Sequence, residues 1–228
     1  MLPSFTAAVR SAAHFVWRRR VRASLARPDA CSLFGLDLVI EPGVLHPRHF
    51  VSSLFLARHV LSLDLHGREI ADIGTGSGLL ALLAARSGAY ALALDISPAA
   101  VGCASANARR NGLAERVEVL ESDVFDAIET GRRFDLVITN PPFYPRAAQE
   151  PSDHAFASGV DHAFFVKLAA GLPGRLKPNG RLLMIHTSDT DFAPIAQLFA
   201  ARGLECRVLT RRRGLFETLT IRDFRRAA

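Results

Sequence analysis

The residues best suited to chemistry stand at positions 140 to 143, where Asn140, Pro141, Pro142 and Phe143 follow the apolar run Phe134–Thr139. Two consecutive prolines remove two backbone donors and fix two φ angles, so a strand must end there. A backbone carbonyl and the Asn140 amide oxygen are then left as acceptors beside an aromatic ring. Two acceptors and a flat apolar face suit a planar NH2 group. An ordinary Asn-Pro turn is the alternative interpretation.

A glycine loop lies upstream of this motif. Glu69–Ile73 is predicted to be a buried strand, residues 74–78 read Gly-Thr-Gly-Ser-Gly, and Leu79–Arg86 is predicted to be a helix. In such a strand, loop and helix, backbone N–H groups and a helix N-terminus approach a ligand closely. The next predicted strand, Ala89–Leu94, ends before Asp95, which is placed to bind two ribose hydroxyls.

The spacing of the glycines argues against a nicotinamide-dinucleotide fold. The dinucleotide loop reads G-x-G-x-x-G, and Leu79 occupies the position of its third glycine. Asp72 precedes the loop, and its carboxylate would repel a pyrophosphate. The loop therefore favours a cationic or zwitterionic ligand, and a dehydrogenase is the weaker interpretation.

These motifs resemble those of the class I S-adenosylmethionine (SAM) methyltransferases. Asp72–Gly78 is similar to their motif I, Ala93–Ser97 to their acidic ribose motif, and Ser122–Phe125 to their adenine-flanking motif. With Asn-Pro-Pro-Phe, the resemblance narrows to the small-domain enzymes that methylate planar nitrogens, closest to the HemK-related glutamine methyltransferases. It covers about residues 35 to 222, including Pro47-Arg48 and Glu150–His162. Val51-Ser52 stand where that family usually carries Thr-Glu.

The resemblance implies SAM as cofactor and assigns its contacts. Asp72 would face the ammonium group and Asp95 the ribose, while Asp123 would accept the adenine amino group or, alternatively, cap a helix. Ile96 and Val124 would sandwich the adenine ring. The expected cofactor-binding residues are Asp72, Gly74, Thr75, Gly76, Gly78, Asp95, Ile96, Asp123, Val124 and Asn140.

The implied chemistry is direct in-line methyl transfer, without a metal or a covalent enzyme intermediate. Asn140 and a neighbouring carbonyl would hold both protons of the acceptor NH2 and aim its lone pair at the methyl carbon. Phe143 would pack on the plane of the acceptor, and Tyr144 would either extend that wall or cap the core. The histidines in predicted loops, among them His46 and His49, form no compact ligand set and are expected to be solvated.

Strands and helices alternate along the sequence, so the predicted fold class is α/β. We expect a doubly wound, seven-stranded, mostly parallel sheet of the Rossmann-like methyltransferase type. The last two predicted strands, Glu205–Leu209 and Phe216–Ile221, have no helix between them and must pair as an antiparallel hairpin. Three further predictions are a strand at Leu36–Ile40, a helix at Val160–Leu172 and a strand at Gly180–His186.

Length and composition indicate the number of domains, the state of the cysteines and the absence of a membrane span. With 228 residues, 49% of them hydrophobic, one sizeable domain is expected at residues 35–228, preceded by a basic helical extension at residues 1–34. The three cysteines, Cys31, Cys103 and Cys206, are far apart, which is typical of reduced thiols in a cytoplasmic protein. No apolar run approaches the roughly 18 residues of a membrane span, so no membrane partner is expected.

The net charge of +6 comes entirely from residues 1–28, which carry six arginines and no acidic residue. A second arginine cluster lies between Arg207 and Arg226 near the C-terminus. Such patches contact RNA or remain solvated. The leading hypothesis for the acceptor is a glutamine amide of a release factor or ribosomal protein. The alternatives are an adenine or guanine amino group of rRNA or tRNA, a small molecule, or a non-catalytic RNA-binding module.

Overall fold

The computed structural model describes residues 25–143, 158–214 and 217–227. Tyr144, most of the segment Glu150–His162 and nearly all of the predicted N-terminal helix lie outside these ranges. In chain order the described elements are β1 (Asp29–Leu33), β2 (Leu36–Ile40), α1 (Val51–Leu61), β3 (Glu69–Ile73), α2 (Leu79–Arg86), β4 (Tyr90–Asp95), α3 (Pro98–Arg110), β5 (Val117–Glu121), β6 (Phe134–Thr139), α4 (Ala163–Arg175), β7 (Leu176–Thr187), α5 (Phe192–Ala200), β8 (Leu204–Arg213) and β9 (Thr218–Arg226).

The predicted seven-stranded sheet is confirmed. Its strand order is β5-β4-β3-β6-β7-β9-β8. Strands β3 to β7 pair in parallel, whereas β9 is antiparallel to both β7 and β8. The chain builds one half of the sheet outward from β3 and then returns to start the other half at β6. Ligands bind outside the carboxyl ends of the strands at such a switch point.

Helices cover both faces of the sheet, and successive strand residues alternate between two apolar layers. In β6, Leu136 and Ile138 pack with α1, α2 and α3, while Val137 packs with α4 and α5. A strand buried on both faces reads as a continuous apolar run, as the sequence of β6 does. These two layers hold the carboxyl ends of β3, β4 and β6 in place.

A strand that the sequence did not reveal precedes the sheet. Strand β1 pairs antiparallel with β2 through the two-residue turn Phe34-Gly35, where φ is 50° and 74°. Positive φ at both positions matches the twist of a hairpin. Residues 29–33 were assigned to the helical extension by the predicted boundary, but they form a strand that pairs with β2.

Several elements begin or end at residues other than those predicted. Helix α4 begins at Ala163, later than predicted, because Val160–His162 forms a 3-10 turn and Asp161 and His162 have positive φ. Strands β8 and β9 extend beyond their predicted ends. The added part of β8 ends in exposed arginines that carry no apolar signal, whereas the added part of β9 contains the fully buried Phe224 among charged residues. Their backbone pairing continues regardless of side-chain polarity.

All three cysteines carry free thiols. Cys31 and Cys103 are buried, and burial raises the pKa of both thiols. Across the described ranges, no helix is long and apolar enough to cross a membrane.

Candidate active site

A cavity of about 360 Å³ opens at the carboxyl ends of β3, β4 and β6. Ligand pockets for small molecules typically have volumes of roughly 300–1,000 Å³. The cavity brings together nine of the predicted site residues, which are Gly74, Thr75, Gly76, Asp95, Ile96, Asp123, Val124, Asn140 and Pro142. Four others, Asp72, Gly78, Pro141 and Phe143, do not line it.

The glycine loop is held against strand β4. The amides of Gly74 and Thr75 donate to the carbonyl of Leu94 at 2.8 and 2.9 Å. Gly74 and Gly76 have φ of 72° and 55°, a backbone conformation that side chains disfavour. A Cβ atom at either position would meet no protein atom within 4 Å, so the space beside the loop is open to a ligand.

Gly78 has a packing role in this structure. It precedes α2 with φ of 84°, and a Cβ atom there would lie 3.2 Å from Ala104 in α3. That contact is tight, so the glycine allows α2 and α3 to approach each other closely. Gly78 does not line the cavity, so the structure gives no support to its predicted contact with the cofactor.

Asp72 lies beneath the loop and is only 1% exposed. Its Oδ2 accepts hydrogen bonds from the Thr75 hydroxyl at 2.7 Å and from the Ala81 amide at 3.2 Å. Its Oδ1 is buried and has no hydrogen-bond partner. Burial, only partly offset by these two donors, raises the pKa of Asp72 to about 7. A nearby cation would stabilise the ionised form and satisfy the second oxygen.

Asp95 ends β4 and connects the loop to the next helix. Its Oδ2 accepts from the amide of Gly76 at 2.9 Å, and its Oδ1 accepts from the amide of Ser97 at 3.0 Å. Both oxygens are thereby oriented by backbone donors, and a carboxylate can accept further bonds at each oxygen. The side chain lines the cavity, as its predicted role in binding ribose requires.

At the far end of the cavity, Lys167 of α4 holds two carboxylates. Its Nζ donates to Oδ2 of Asp123 and to Oδ2 of Asp126, both at 2.5 Å. These two ion pairs raise the pKa of Lys167 despite partial desolvation. No helix begins at residue 124, where φ is 55°, so the alternative that Asp123 caps a helix is wrong.

The Asn-Pro-Pro segment ends β6 beside the glycine loop. The Thr139 hydroxyl donates to the carbonyl of Ile73 at 2.9 Å, which ties the end of β6 to the end of β3. The Asn140 Nδ2 donates to the hydroxyl of Ser53 at 3.0 Å. The Asn140 Oδ1 is buried without a hydrogen-bond partner. Pro141 is buried and Pro142 faces the cavity, while half-buried Phe143 does not.

The structure adds cavity residues that sequence reasoning missed, chiefly Ser53 and Lys167. Lys167 carried no motif signal. Ser53 did carry one, because it lies one turn before the buried residues Leu56, Ala57 and Val60 on the same face of α1. A polar residue where this face predicts an apolar one marks a side chain that meets something other than the core.

His46 also departs from prediction. It is only 2% exposed rather than solvated, and its Nε2 lies 3.3 Å from Oδ2 of Asp29 in β1. Its Nδ1 accepts from the amide of Arg48, which fixes the turn that contains the cavity residue Pro47. Burial lowers the pKa of His46. Within the described ranges, no group of histidine, cysteine and acidic side chains is arranged to hold a metal ion.

Acidic groups dominate the electrostatics of the cavity. Asp95 and Asp123 line it, Asp72 lies beneath its loop, and Lys167 is the one cation among the lining residues that the structure describes. A pyrophosphate would meet unfavourable charge here. SAM fits this set of groups, since its ammonium and sulfonium are positive and its ribose and adenine are hydrogen-bond donors.

Comparison with known proteins places the chain in one class. A sequence model of the methyltransferase small domain family matches residues 36–214, and the chain belongs to this family. It is a SAM-dependent methyltransferase. Among solved structures, it resembles the T. thermophilus 16S rRNA N2 G1207 methyltransferase in complex with AdoMet and guanosine. The TM-score is 0.64 at 25% identity, over 89% of this chain and 50% of that one.

Curated relatives narrow the comparison to release factor glutamine methyltransferases. The chain is 35% identical to that of Xylella fastidiosa strain 9a5c, over 82% of this chain and 67% of the relative. It is 33% identical to that of Bordetella pertussis, over 98% of this chain and 84% of the relative. Several further relatives of the same name are matched over only 52–58% of their length.

Proposed function

We propose that the protein transfers the methyl group of SAM to the side-chain amide nitrogen of a glutamine in a translation release factor. The observation that carries this proposal is the buried, unpartnered Oδ1 of Asn140, which belongs to a residue of the cavity wall. A buried acceptor without a donor costs about 1–3 kcal/mol. An acceptor NH2 that donates to this oxygen removes the cost, so the site favours a group with protons on a planar nitrogen.

The proposed cofactor contacts follow the cavity from end to end. Asp95 accepts the ribose hydroxyls, and Asp123 accepts the adenine amino group. Asp72 lies beneath the loop and does not line the cavity, so its negative charge favours the ammonium group from behind the loop backbone. Ile96 and Val124 flank the ring. SAM supplies a methyl group bonded to a positively charged sulfur, and the residues of the chain bind and orient it.

The reaction requires orientation more than acid or base catalysis. An amide nitrogen is a poor nucleophile because its lone pair is delocalised into the carbonyl. Asn140 and an adjacent backbone carbonyl hold the two amide protons and stabilise the positive charge that develops on nitrogen. Orientation of this kind brings the nitrogen into line with the methyl carbon. The methylated nitrogen then loses its proton without a strong base.

The names of relatives favour a protein acceptor. Besides the release factor enzymes, a relative from Methanocaldococcus jannaschii, 28% identical over 94% of its length, is a putative protein N5-glutamine methyltransferase. A cytoplasmic location is part of the proposal, and the free thiols of the three cysteines suit a reducing compartment.

An amino group of RNA is the second candidate acceptor. The similar T. thermophilus enzyme is an rRNA guanine N2 methyltransferase, and it was solved with guanosine. The exposed arginines at the end of β8, Arg211, Arg212 and Arg213, would suit a phosphate backbone. The same planar NH2 chemistry applies to both acceptors.

The experiment offers both acceptors to one enzyme. The protein is incubated with methyl-labelled SAM and either a purified bacterial release factor or 16S rRNA. We expect label in the release factor at a single glutamine, located by mass spectrometry. Asn140→Ala should keep SAM binding and lose methyl transfer by about 100-fold or more, as occurs when an orienting group is removed. Label only in rRNA, or undiminished transfer by the variant, would refute the proposal.

A further inference from the structure

We infer that Ser53 is a positioning residue that holds the Asn140 amide in the orientation needed for methyl transfer. The inference rests on the proposed function, in which Asn140 Oδ1 accepts a proton of the acceptor NH2. Both residues line the cavity, and the Asn140 Nδ2 donates to the Ser53 hydroxyl at 3.0 Å.

An asparagine at the end of a strand needs such a partner. The torsion that rotates its terminal amide is broad and lacks sharp staggered minima, so its own stereochemistry does not fix the amide plane. The backbone of Asn140 is fixed by β6, by the Thr139 hydroxyl and by the two prolines that follow. Ser53 supplies the remaining constraint, because a bond to one amide atom determines where the other points.

The bond also determines which atom of the Asn140 amide is bonded to the protein and which is left for the acceptor. With Nδ2 engaged by the hydroxyl, Oδ1 is the atom left without a partner. A flipped amide would present N–H groups to an NH2 group, and two sets of donors cannot satisfy each other. The arrangement in the structure is thus the one that a planar NH2 acceptor requires.

Helix α1 places the hydroxyl at the cavity through its regular spacing. Leu56, Ala57 and Val60 are fully buried against the sheet, and Ser53 continues their stripe by one turn toward the helix N-terminus. The preceding residue, Ser52, does not line the cavity. The resemblance to glutamine methyltransferases pointed to positions 51 and 52, but the hydroxyl that meets Asn140 comes from position 53.

The test compares Ser53→Ala with Ser53→Thr and with Ser52→Ala, a matched control on the same turn. We expect Ser53→Ala to lower kcat for release factor methylation by about tenfold to a hundredfold. The Kd for SAM and the Tm should stay unchanged. Ser53→Thr, which restores a hydroxyl, should recover most of the rate, and Ser52→Ala should equal wild type. A rate for Ser53→Ala within twofold of wild type, or an equal loss in Ser52→Ala, would overturn the inference.

A double-mutant cycle separates positioning from a general effect on the helix. If Ser53 acts through Asn140, then Ser53→Ala should have no further effect on kcat in an Asn140→Ala background. Additive losses would show that Ser53 acts by another route, which would contradict the inference.

A measurement that does not depend on methyl transfer tests this inference separately from the proposed function. The side-chain amide signal of Asn140, assigned in 15N NMR spectra by its loss in Asn140→Ala, should shift or broaden in Ser53→Ala but not in Ser52→Ala. If wild type transfers no methyl group to the release factor, the proposed function fails. This measurement would still show whether Ser53 holds the Asn140 amide in place. An unchanged Asn140 signal in Ser53→Ala would overturn the inference by itself.

Discussion

At the scale of single residues, three carboxylates serve the cavity, and each is held in a different way. Asp72 is enclosed beneath the loop, Asp95 is oriented by backbone amides, and Asp123 is paired with Lys167. The Lys167 ammonium gives Asp123 a full positive charge as its partner. Asp72 and Asp95 place negative charge beside the glycine loop, which would complement a cationic ligand and repel a pyrophosphate.

Asp95→Ala should weaken SAM binding by at least about tenfold, because the variant loses the proposed acceptors for the ribose and the bond that holds Gly76. Isothermal titration calorimetry measures the change in Kd. Glu121→Ala is the matched control, since Glu121 pairs in register with Asp95 on β5 but is exposed and does not line the cavity. Equal Kd values for the Asp95 variant and wild type would remove Asp95 from the site.

Asp72 should make stability depend on pH. Its folded-state pKa of about 7 lies above the unfolded value of 3.8, so its contribution is present below pH 4 and is lost as the pH rises toward 7. Asp72→Asn should flatten the decline in the free energy of unfolding across that window, by up to about 1.4 kcal/mol per pH unit. Urea unfolding at several pH values tests this. Parallel curves for the two proteins would show that Asp72 ionises normally.

At the scale of elements, the end of the cavity lined by Asp123 and Val124 depends on how closely α4 packs against the loop after β5. Gly171 in α4 lies against Phe125, which follows Asp123 and Val124 in that loop. A Cβ atom at Gly171 would stand 2.6 Å from the Phe125 ring. The glycine therefore sets the separation that lets Lys167 reach Asp123.

Gly171→Ala should destabilise the fold by about 1–3 kcal/mol, because the added methyl group forces Phe125 or α4 to move. SAM binding should weaken with it. Gly174→Ala is the control in the same helix, since a Cβ atom there meets nothing within 4 Å. It should be neutral or slightly stabilising. Chemical denaturation measures both, and equal stabilities would show that Phe125 adapts without cost.

Elements whose sequences contain a run of apolar residues were predicted well, and elements without such a run were not. Strands β3, β4 and β6 are buried on both faces, so their sequences show continuous apolar runs, and their predicted ends lie within one residue of those observed. The end of β8, Arg211 to Arg213, is exposed and polar, and it forms a strand because β9 offers hydrogen bonds. Strand β1 depends in the same way on β2.

At the scale of the whole molecule, the cavity is assembled from segments far apart in the chain. Ser53 from α1, the glycine loop, Asp95, Asp123, Asn140 and Lys167 all meet at one edge of the sheet. A ligand that contacts all of them links both halves of the fold. Binding should therefore stabilise the protein as a whole, because the unfolded chain has no such site.

SAM at 100 times its Kd should stabilise the protein by about 2.7 kcal/mol. For a chain of this size, that corresponds to a rise in Tm of about 5–11 °C. Differential scanning fluorimetry measures the shift, with NAD as the comparison ligand. A shift with NAD as large as that with SAM would show that the glycine loop and its acidic residues accept a dinucleotide.

Local sequence sufficed for the features that are local in origin. The glycine loop, the acidic residue after β4 and the end of β6 at two prolines all follow from backbone chemistry within a few residues, and their order specifies the class of enzyme. The meeting of Ser53 with Asn140, of Lys167 with Asp123 and of Gly171 with Phe125 was decided by packing between helices and the sheet. Such contacts join residues 40 or more positions apart. Their geometry depends on how the apolar layers fill space, which no single segment encodes.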